Sequence, residues 1–363
     1  MIYNGRFQTL LSAMRKKRIT RRESLSALGA AGVAGLAGCS GLLGGGDDEY
    51  PSETITIQIP FPQGGDTDLQ TRLMIEFLQD ELSVDVVATN KSEAAGAVLN
   101  SDMISDVEPD GHTLGSFFYP LITTFPQVLD DFDYDPSELT YLAQFNQVPF
   151  VIMAGYDSEY ETFGDFIDDA EGGTVTMAVT GPVAPVVIPV LQLQEQLGFE
   201  LDPVFVGGGD NLATEAQAGR VDVAANVFST TASNFAEQRT KPLAILWEKD
   251  DDLISFYEDN LDITIEDHMF ITDYDDRLEN PPLLTSMNGL MGPPDLPSEV
   301  QTTIEDAALE VMTGDTGWRE EMVNLGAFPQ PGDGEQVNQR FDEYASQIEP
   351  YIPQLRDFAA EYS

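Results

Sequence analysis

A length of 363 residues allows two ordinary domains with separate cores, and an apolar share of 42% is too high for a disordered chain. The formal charge is −46; seven of the 17 basic residues but only one of the 63 acidic ones precede Cys39, so the part from Cys39 onward has 10 basic and 62 acidic residues, a net of −52. No basic patch exists to neutralise phosphates, which excludes nucleic acid as a partner, and one cysteine with two distant histidines, His112 and His268, excludes intrachain disulfides and zinc-type ligand spacing.

In chain order, the first 38 residues read as an address. A basic stretch (RKKRITRR) precedes an apolar run of small residues, about the length of a signal-peptide core. Thr20-Arg21-Arg22-Glu23-Ser24-Leu25 resembles the twin-arginine export signal, which carries already folded proteins. Leu36-Ala37-Gly38-Cys39 resembles a lipobox, where the chain is cut before the cysteine and lipid is attached to its sulfur. The alternative is an uncleaved anchor: residues 25–43 together are marginal for spanning a membrane. Folding before export suits a halophile, a haloarchaeon being the simplest source of so acidic a chain, because in ~1 M salt a Debye length of roughly 3 Å screens the self-repulsion. Residues 39–52, with GLLGGGDDEY, form a flexible tether.

The mature chain predicts alternating strands and helices. Residues 54–59 (TITIQI) alternate as a strand; 60–66 form a Pro/Gly turn; from Thr67, Leu69, Leu73, Met74, Phe77, Leu78 and Leu82 mark one helical face; 84–89 make a second strand. The pattern returns with strands at 174–179, 203–206, 221–227 and 242–247 and helices at 186–197 and 210–218, followed by an apolar segment at 289–292 and helices at 298–312 and 334–346. These are the units of an α/β fold with two lobes: 53–152 and 245–363 form a discontinuous lobe 1, and 153–244 a continuous lobe 2.

Three glycine turns follow a strand and open a helix: residues 60–68 (PFPQGGDTD), Thr180-Gly181-Pro182, and Gly207-Gly208-Gly209-Asp210. Unpaired N–H groups and the positive dipole end at a helix start hold an anion without any basic side chain, and glycine lets it approach. Asp66 or Thr67 could equally cap the first helix, and Asp68 could face a ligand or solvent. None of the turns matches a phosphate loop or a dinucleotide fingerprint. His112 reads as part of a turn, His268 as an exposed loop residue, and Asp250-Asp251-Asp252 as a solvated turn.

The ordered motifs resemble the substrate-binding receptors of tripartite tricarboxylate transporters, the Bug-type receptors. Residues 59–68 (IPFPQGGDTD) resemble the opening Pro-Phe-x-x-Gly-Gly-x-x-Asp pattern of that family. Asn90 with Gly96, Pro109-Asp110-Gly111-His112-Thr113-Leu114, residues 132–136, Gly207-Gly208-Gly209 with Gly219-Arg220-Val221-Asp222, and residues 292–297 resemble its later landmarks, covering roughly residues 51–345. The family's Ser and His near the second glycine turn are absent from Thr180-Gly181-Pro182-Val183-Ala184-Pro185, and its Tyr-Lys before the third is Phe205-Val206, which implies a ligand less polar at its far end than citrate.

The resemblance implies a two-lobed α/β fold of the type II periplasmic-binding class with its cleft between the lobes. Phe61, Gln63, Gly64, Gly65, Thr67 and Asp68 of the first loop, Thr180 and Gly181 of the second, and Gly208 and Asp210 of the third would hold the ligand. Its function would be capture of a small organic carboxylate (a di- or tricarboxylate or an aromatic acid) as a monomer on the extracellular face of the membrane, lipid-anchored at Cys39, with delivery to integral transporter subunits. No catalysis, cofactor or metal is expected. A surface sensor would share every site residue; a secreted hydrolase would need a nucleophile elbow, and no Gly-x-Ser-x-Gly occurs.

Overall fold

The computed structural model describes residues 50–273 and 278–362; the export segment, Cys39 and most of the tether lie outside them. Strand β1 (Ile55–Ile59) alternates buried and half-buried residues, as its Ile-Thr-Ile-Gln-Ile pattern requires. It leads through the Pro/Gly turn into helix α1 (Asp66–Leu82) and strand β2 (Val86–Asn90). Helix α2 (Ala97–Ser105), strand β3 (Thr113–Tyr119) and helix α3 (Leu121–Val128) complete a parallel set in which β2, β1 and β3 lie side by side.

Strand β4 (Thr140–Gly155) is 16 residues long and serves two groups of strands. Its first part pairs antiparallel with β9 (Thr285–Gly292) and β10 (Pro329–Asp333); its last part pairs antiparallel with β7 (Val223–Val227) and β8 (Thr240–Ile245). Beyond β7 lie the parallel strands β5 (Thr174–Val179) and β6 (Glu200–Phe205), giving the order β2-β1-β3-β9-β4-β7-β5-β6. Between these strands run helices α4 (Phe163–Ala170), α5 (Val187–Leu197), α6 (Gly209–Gln217), α7 (Phe228–Ala236) and α8 (Asp251–Leu261). The chain closes with α9 (Ser298–Thr313), α10 (Trp318–Asn324), α11 (Gly334–Ile348) and α12 (Ile352–Glu361). The result is the expected two-lobed α/β fold.

Strands β4 and β9 show no alternation because they are central. β9 is buried at every position and β4 at all but two. Their length of buried backbone anchors two large apolar cores, one holding Met177, Val187, Phe228 and Tyr257, the other Ile57, Met74, Phe145, Leu290 and Trp318. A third, smaller cluster of Ala97, Leu121 and Phe125 stands apart from both. The helical stripe read for α1 is rotated in the structure: Leu69 is exposed, Leu73 and Phe77 are half-buried, and Thr67, Asp68, Gln70 and Thr71 join Met74, Ile75 and Leu78 on the buried face. The first turns of α1 therefore bury polar groups, a cost accepted only where hydrogen bonds or function repay it. Asp250 caps α8 by accepting from the amides of Asp252 and Leu253, so the acidic triplet is a helix start.

Candidate ligand-binding site

Each of the three glycine turns sits at the carboxyl end of a parallel strand, which is where open α/β sheets bind ligands. Strands β1 and β2 run in register with Ile59 opposite Asn90, so the loops that follow them are neighbours. Between β5 and β6, Val179 is opposite Phe205 and the Val206 amide donates to the Val179 carbonyl at 3.0 Å, which places the second and third turns side by side.

The first loop is held by a closed polar network. Gly64 adopts φ +86°, and its N–H donates to Asp68 Oδ2 at 2.9 Å. Arg72 Nε donates to both Asp68 oxygens at 3.0 Å, and Asn90 Nδ2 donates to Asp68 Oδ1 at 2.6 Å and to the Phe61 carbonyl at 2.9 Å. Arg72 Nη2 donates to Asn90 Oδ1 at 2.7 Å, closing the ring. Burial of Asp68 favours its neutral acid, but the hydrogen bonds from Arg72, Gly64 and Asn90 outweigh it and hold the carboxyl below its ordinary range. Asp68 is thus committed to fixing the loop. Thr67 is buried and donates to Asn288 Oδ1 at 2.7 Å, while Asn146 Oδ1 accepts from the Asn288 amide at 2.9 Å. This ties the start of α1 to the central strands β9 and β4.

The network spends the Gly64 N–H on Asp68 and the turn spends the Gly65 N–H on the Pro62 carbonyl at 3.4 Å, but it leaves the loop crest open to solvent. Gln63, Gly64 and Gly65 are exposed. Gly65 is the N-cap of α1, and no side chain caps the helix, neither Asp66 nor Thr67. The amides of the first helical turn are therefore available to an incoming acceptor, at the positive end of a 17-residue dipole. Asp66 in that turn accepts from Gln70 Nε2 at 2.8 Å, and burial pushes its carboxyl up, toward the neutral form. Gly96, at φ +92°, lies against Pro60: a Cβ there would sit 2.4 Å from Pro60 Cβ. Ala94 and Ala95 before it are also left-handed, at φ 49° and 53°. Close packing of this bend fixes the loop from its other side.

Thr180 and Gly181 are half-buried, and the space around a Cβ at Gly181 is open. Gly208, at φ +85°, is exposed and open as well. Asp210 is exposed, and its carboxylate lies 3.6 Å from Arg239 Nη1. The first and second loops each send one side chain to the same small apolar cluster. Phe61 stacks edge-on against Phe118 with ring centroids 5.6 Å apart, and both Phe61 and Val183 pack against the Ala97, Leu121 and Phe125 cluster.

Arg72, Gly96 and the Asn146–Asn288 pair were not legible as site residues, although Asn90 and Gly96 stood out as landmarks. The one local signal was the i, i+4 spacing of Asp68 and Arg72. His112 lies before β3, at the opposite end of the sheet; its amide donates to Asp110 Oδ1 at 2.8 Å and its ring meets Tyr50 edge-on at 5.3 Å, a turn packed in place. A cavity of about 600 Å³ lined by Gly155, Tyr160, Asp165, Asp169, Gly219 and Asp222 likewise lies at the amino ends of β5 and β7, away from the glycine turns. Among the described residues no group of three or more His, Cys, Asp or Glu is placed to hold a metal ion, and no helix is long and apolar enough to cross a membrane.

A family model described as tripartite tricarboxylate transporter family receptor matches residues 71–254. The chain is 24% identical over 285 residues to a UPF0065 protein of Agrobacterium vitis from the ttuE-ttuC' intergenic region, covering 78% of each. It is 29% identical over 175 residues to protein BugT of Bordetella pertussis, covering 45% of this chain and 51% of BugT. Among solved structures it resembles a TctC solute-binding protein from Polaromonas, with 17% identity and a TM-score of 0.66 over 86% of this chain and 99% of that one. An R. palustris protein determined with adipate gives 19% identity and a TM-score of 0.68 over 85% and 98%, and MatC from Rhodopseudomonas palustris with bound malate gives 18% and 0.60 over 85% and 100%.

Proposed function

Because the chain belongs to the tripartite tricarboxylate transporter receptor family, a family of solute-binding receptors, we propose that it captures a small organic carboxylate outside the cell and presents it to the membrane subunits of such a transporter. One observation carries this reading: an uncapped start of α1, exposed at a glycine crest and braced from below by the Asp68–Arg72–Asn90 network. A preorganised set of amides suits a carboxylate, and it does so in a chain with almost no cations to spend on one. The second and third turns would close over the ligand from lobe 2, through the hinge motion open to two-lobed binding proteins. Adipate and malate in two proteins of the same fold support the choice of a carboxylate.

The proposal extends to the N-terminus. Export by the twin-arginine route and a lipid on Cys39 would keep the receptor at the outer face of the membrane; Cys39→Ser is expected to release it into the medium, and retention would argue for an uncleaved anchor. The binding reading itself is tested by titrating purified protein in molar KCl with dicarboxylates, tricarboxylates and aromatic acids. A ligand at 100 times its Kd adds about 2.7 kcal/mol of stability. If none of these acids raises the melting temperature, the carboxylate reading fails.

A further inference from the structure

Asp68, Arg72 and Asn90 are spent on bracing the first loop; Asp66, at the first position of α1, is not. Its carboxyl shares a helical turn with the amides of residues 66–68, which precede the first bond of the helix, from the Leu69 N–H to the Gly65 carbonyl at 2.9 Å. Gln70 Nε2 donates to one Asp66 oxygen at 2.8 Å, and Asp66 is half-buried, so part of it still meets solvent. Tyr257 of α8 lies within reach of the Asp66 charge. It is fully buried, its hydroxyl has no hydrogen-bond partner, and burial, followed by that charge, pushes its phenol up. The start of α1 thus has beside it a buried polar group with nothing to bond and an acid that the bracing of the loop does not use.

Strands β1, β2, β3 and β9, on which α1 packs, carry no charged residue, and the tyrosine among them, Tyr119, stacks on Phe341 of α11 with ring centroids 4.7 Å apart. Helices α9 and α10 share one apolar core with Met74 and Leu78 of α1, through Ile304, Ala308, Trp318 and Met322. The charged residues of both helices are exposed, except the half-buried Glu305, itself an acid beside Asp333 and Asp306. On α8, Asp251, Asp252, Glu258 and Asp259 are exposed. Within α1, Arg72 is the only basic residue and its Nε is taken by both oxygens of Asp68, a second carboxylate two positions from Asp66. Burial accordingly pushes the Asp66 carboxyl up, against the opposing hydrogen bond from Gln70.

A carboxylate held by the amides of this turn brings a further negative charge close to Asp66. Two acids that share a site raise one another's proton affinity, and here they also share the positive end of one dipole. Where Asp66 is already protonated, binding takes up nothing. Where it is ionised with and without ligand, binding is weakest. In between, binding takes up a proton and weakens as pH rises.

Resting on the receptor reading above, we propose that capture of a carboxylate at the α1 start is coupled to proton uptake by Asp66, so that the receptor holds its ligand more tightly in mild acid than at higher pH. The test is calorimetric titration of the full mature chain in 2 M KCl with malate, adipate, citrate and benzoate, between pH 5 and 8, in buffers of different ionisation enthalpy, for the wild type and Asp66→Asn. The variant keeps an acceptor for Gln70 and registers any protons that the probe acids take up themselves. From pH 5 to 8 the ratio of wild-type to variant affinity should fall about fivefold, with an excess uptake by the wild type that peaks at about 0.4 proton, as a fivefold change requires. An acid that binds both proteins with the same proton count and a constant affinity ratio would overturn the role of Asp66 while leaving a carboxylate receptor standing. No binding of any of the four acids would overturn both.

Discussion

Replacing Asp68 by Asn is the sharpest probe of the loop. Asp68 is fully buried, and its two oxygens receive Gly64 N–H, Arg72 Nε and Asn90 Nδ2, so every polar atom it faces is a donor. An asparagine of the same shape must turn its own amide donors toward one of them. Three charge-assisted hydrogen bonds become neutral or are lost, at about 1 kcal/mol each, and one buried donor is left facing another, at about 1–3 kcal/mol. The expected loss is therefore about 4–6 kcal/mol, overlapping the roughly 3–5 kcal/mol found when one partner of a buried ion pair is removed. Denaturant unfolding in 2 M KCl should show it as a lower midpoint with an unchanged slope. The pH dependence has a definite sign. The folded carboxyl lies below its unfolded value of about 3.9, so its contribution is complete above that pH and disappears as pH falls through the depressed folded value. Wild type and variant should thus converge in acid. The same variant should lose at least tenfold in affinity for whatever carboxylate the wild type binds, because Gly64 is no longer held. An Asp68→Asn protein within 1 kcal/mol of the wild type at pH 7, with unaltered affinity, would refute the bracing role.

Gly65 has an extended backbone at φ −79°, and a Cβ there meets only the Pro62 carbonyl at 3.5 Å, so Gly65→Val should change stability by less than about 1 kcal/mol yet abolish ligand binding in titration calorimetry. Gly96→Ala meets Pro60 at 2.4 Å in a left-handed backbone and should cost about 3 kcal/mol by denaturant unfolding, with weaker binding as the loop shifts. Asp66 stands in the first turn of α1 with its carboxyl raised by burial, so its ionisation at rising pH costs stability in the folded state; Asp66→Asn should raise the neutral-pH melting temperature and strengthen anion binding by a factor of about five, roughly 1 kcal/mol. Carboxylate affinity should increase with KCl from 0.3 to 2 M, wherever circular dichroism shows the chain folded, because screening of about 52 net negative charges favours an incoming anion; a fall with salt would point to a cationic side chain at the site.

Local residue pattern specified the alternation of strands and helices, and it marked the turns proposed to carry the site. β1, α1, β5 and α9 were legible because their alternation or helical period is local and their ends are written in glycine and proline. The long β4 and the full extent of β9 were not, since strands covered on both faces lose the period of two that identifies them. The face of α1 was misjudged for a related reason. Periodicity assigns the apolar side to the core, but here the first two turns bury Thr67 and Asp68, whose partners Asn288, Asn90 and Gly64 come from outside the helix, in one case 221 residues away, and carry Gln70 and Thr71 in with them. It took the assembled fold to show that Asp68 braces the loop instead of facing outward, and that Phe61 and Val183, 122 positions apart, pack against one apolar cluster. Hydrogen-bond satisfaction and close packing are properties of groups brought together by the fold, and no local pattern of residues records which groups those will be.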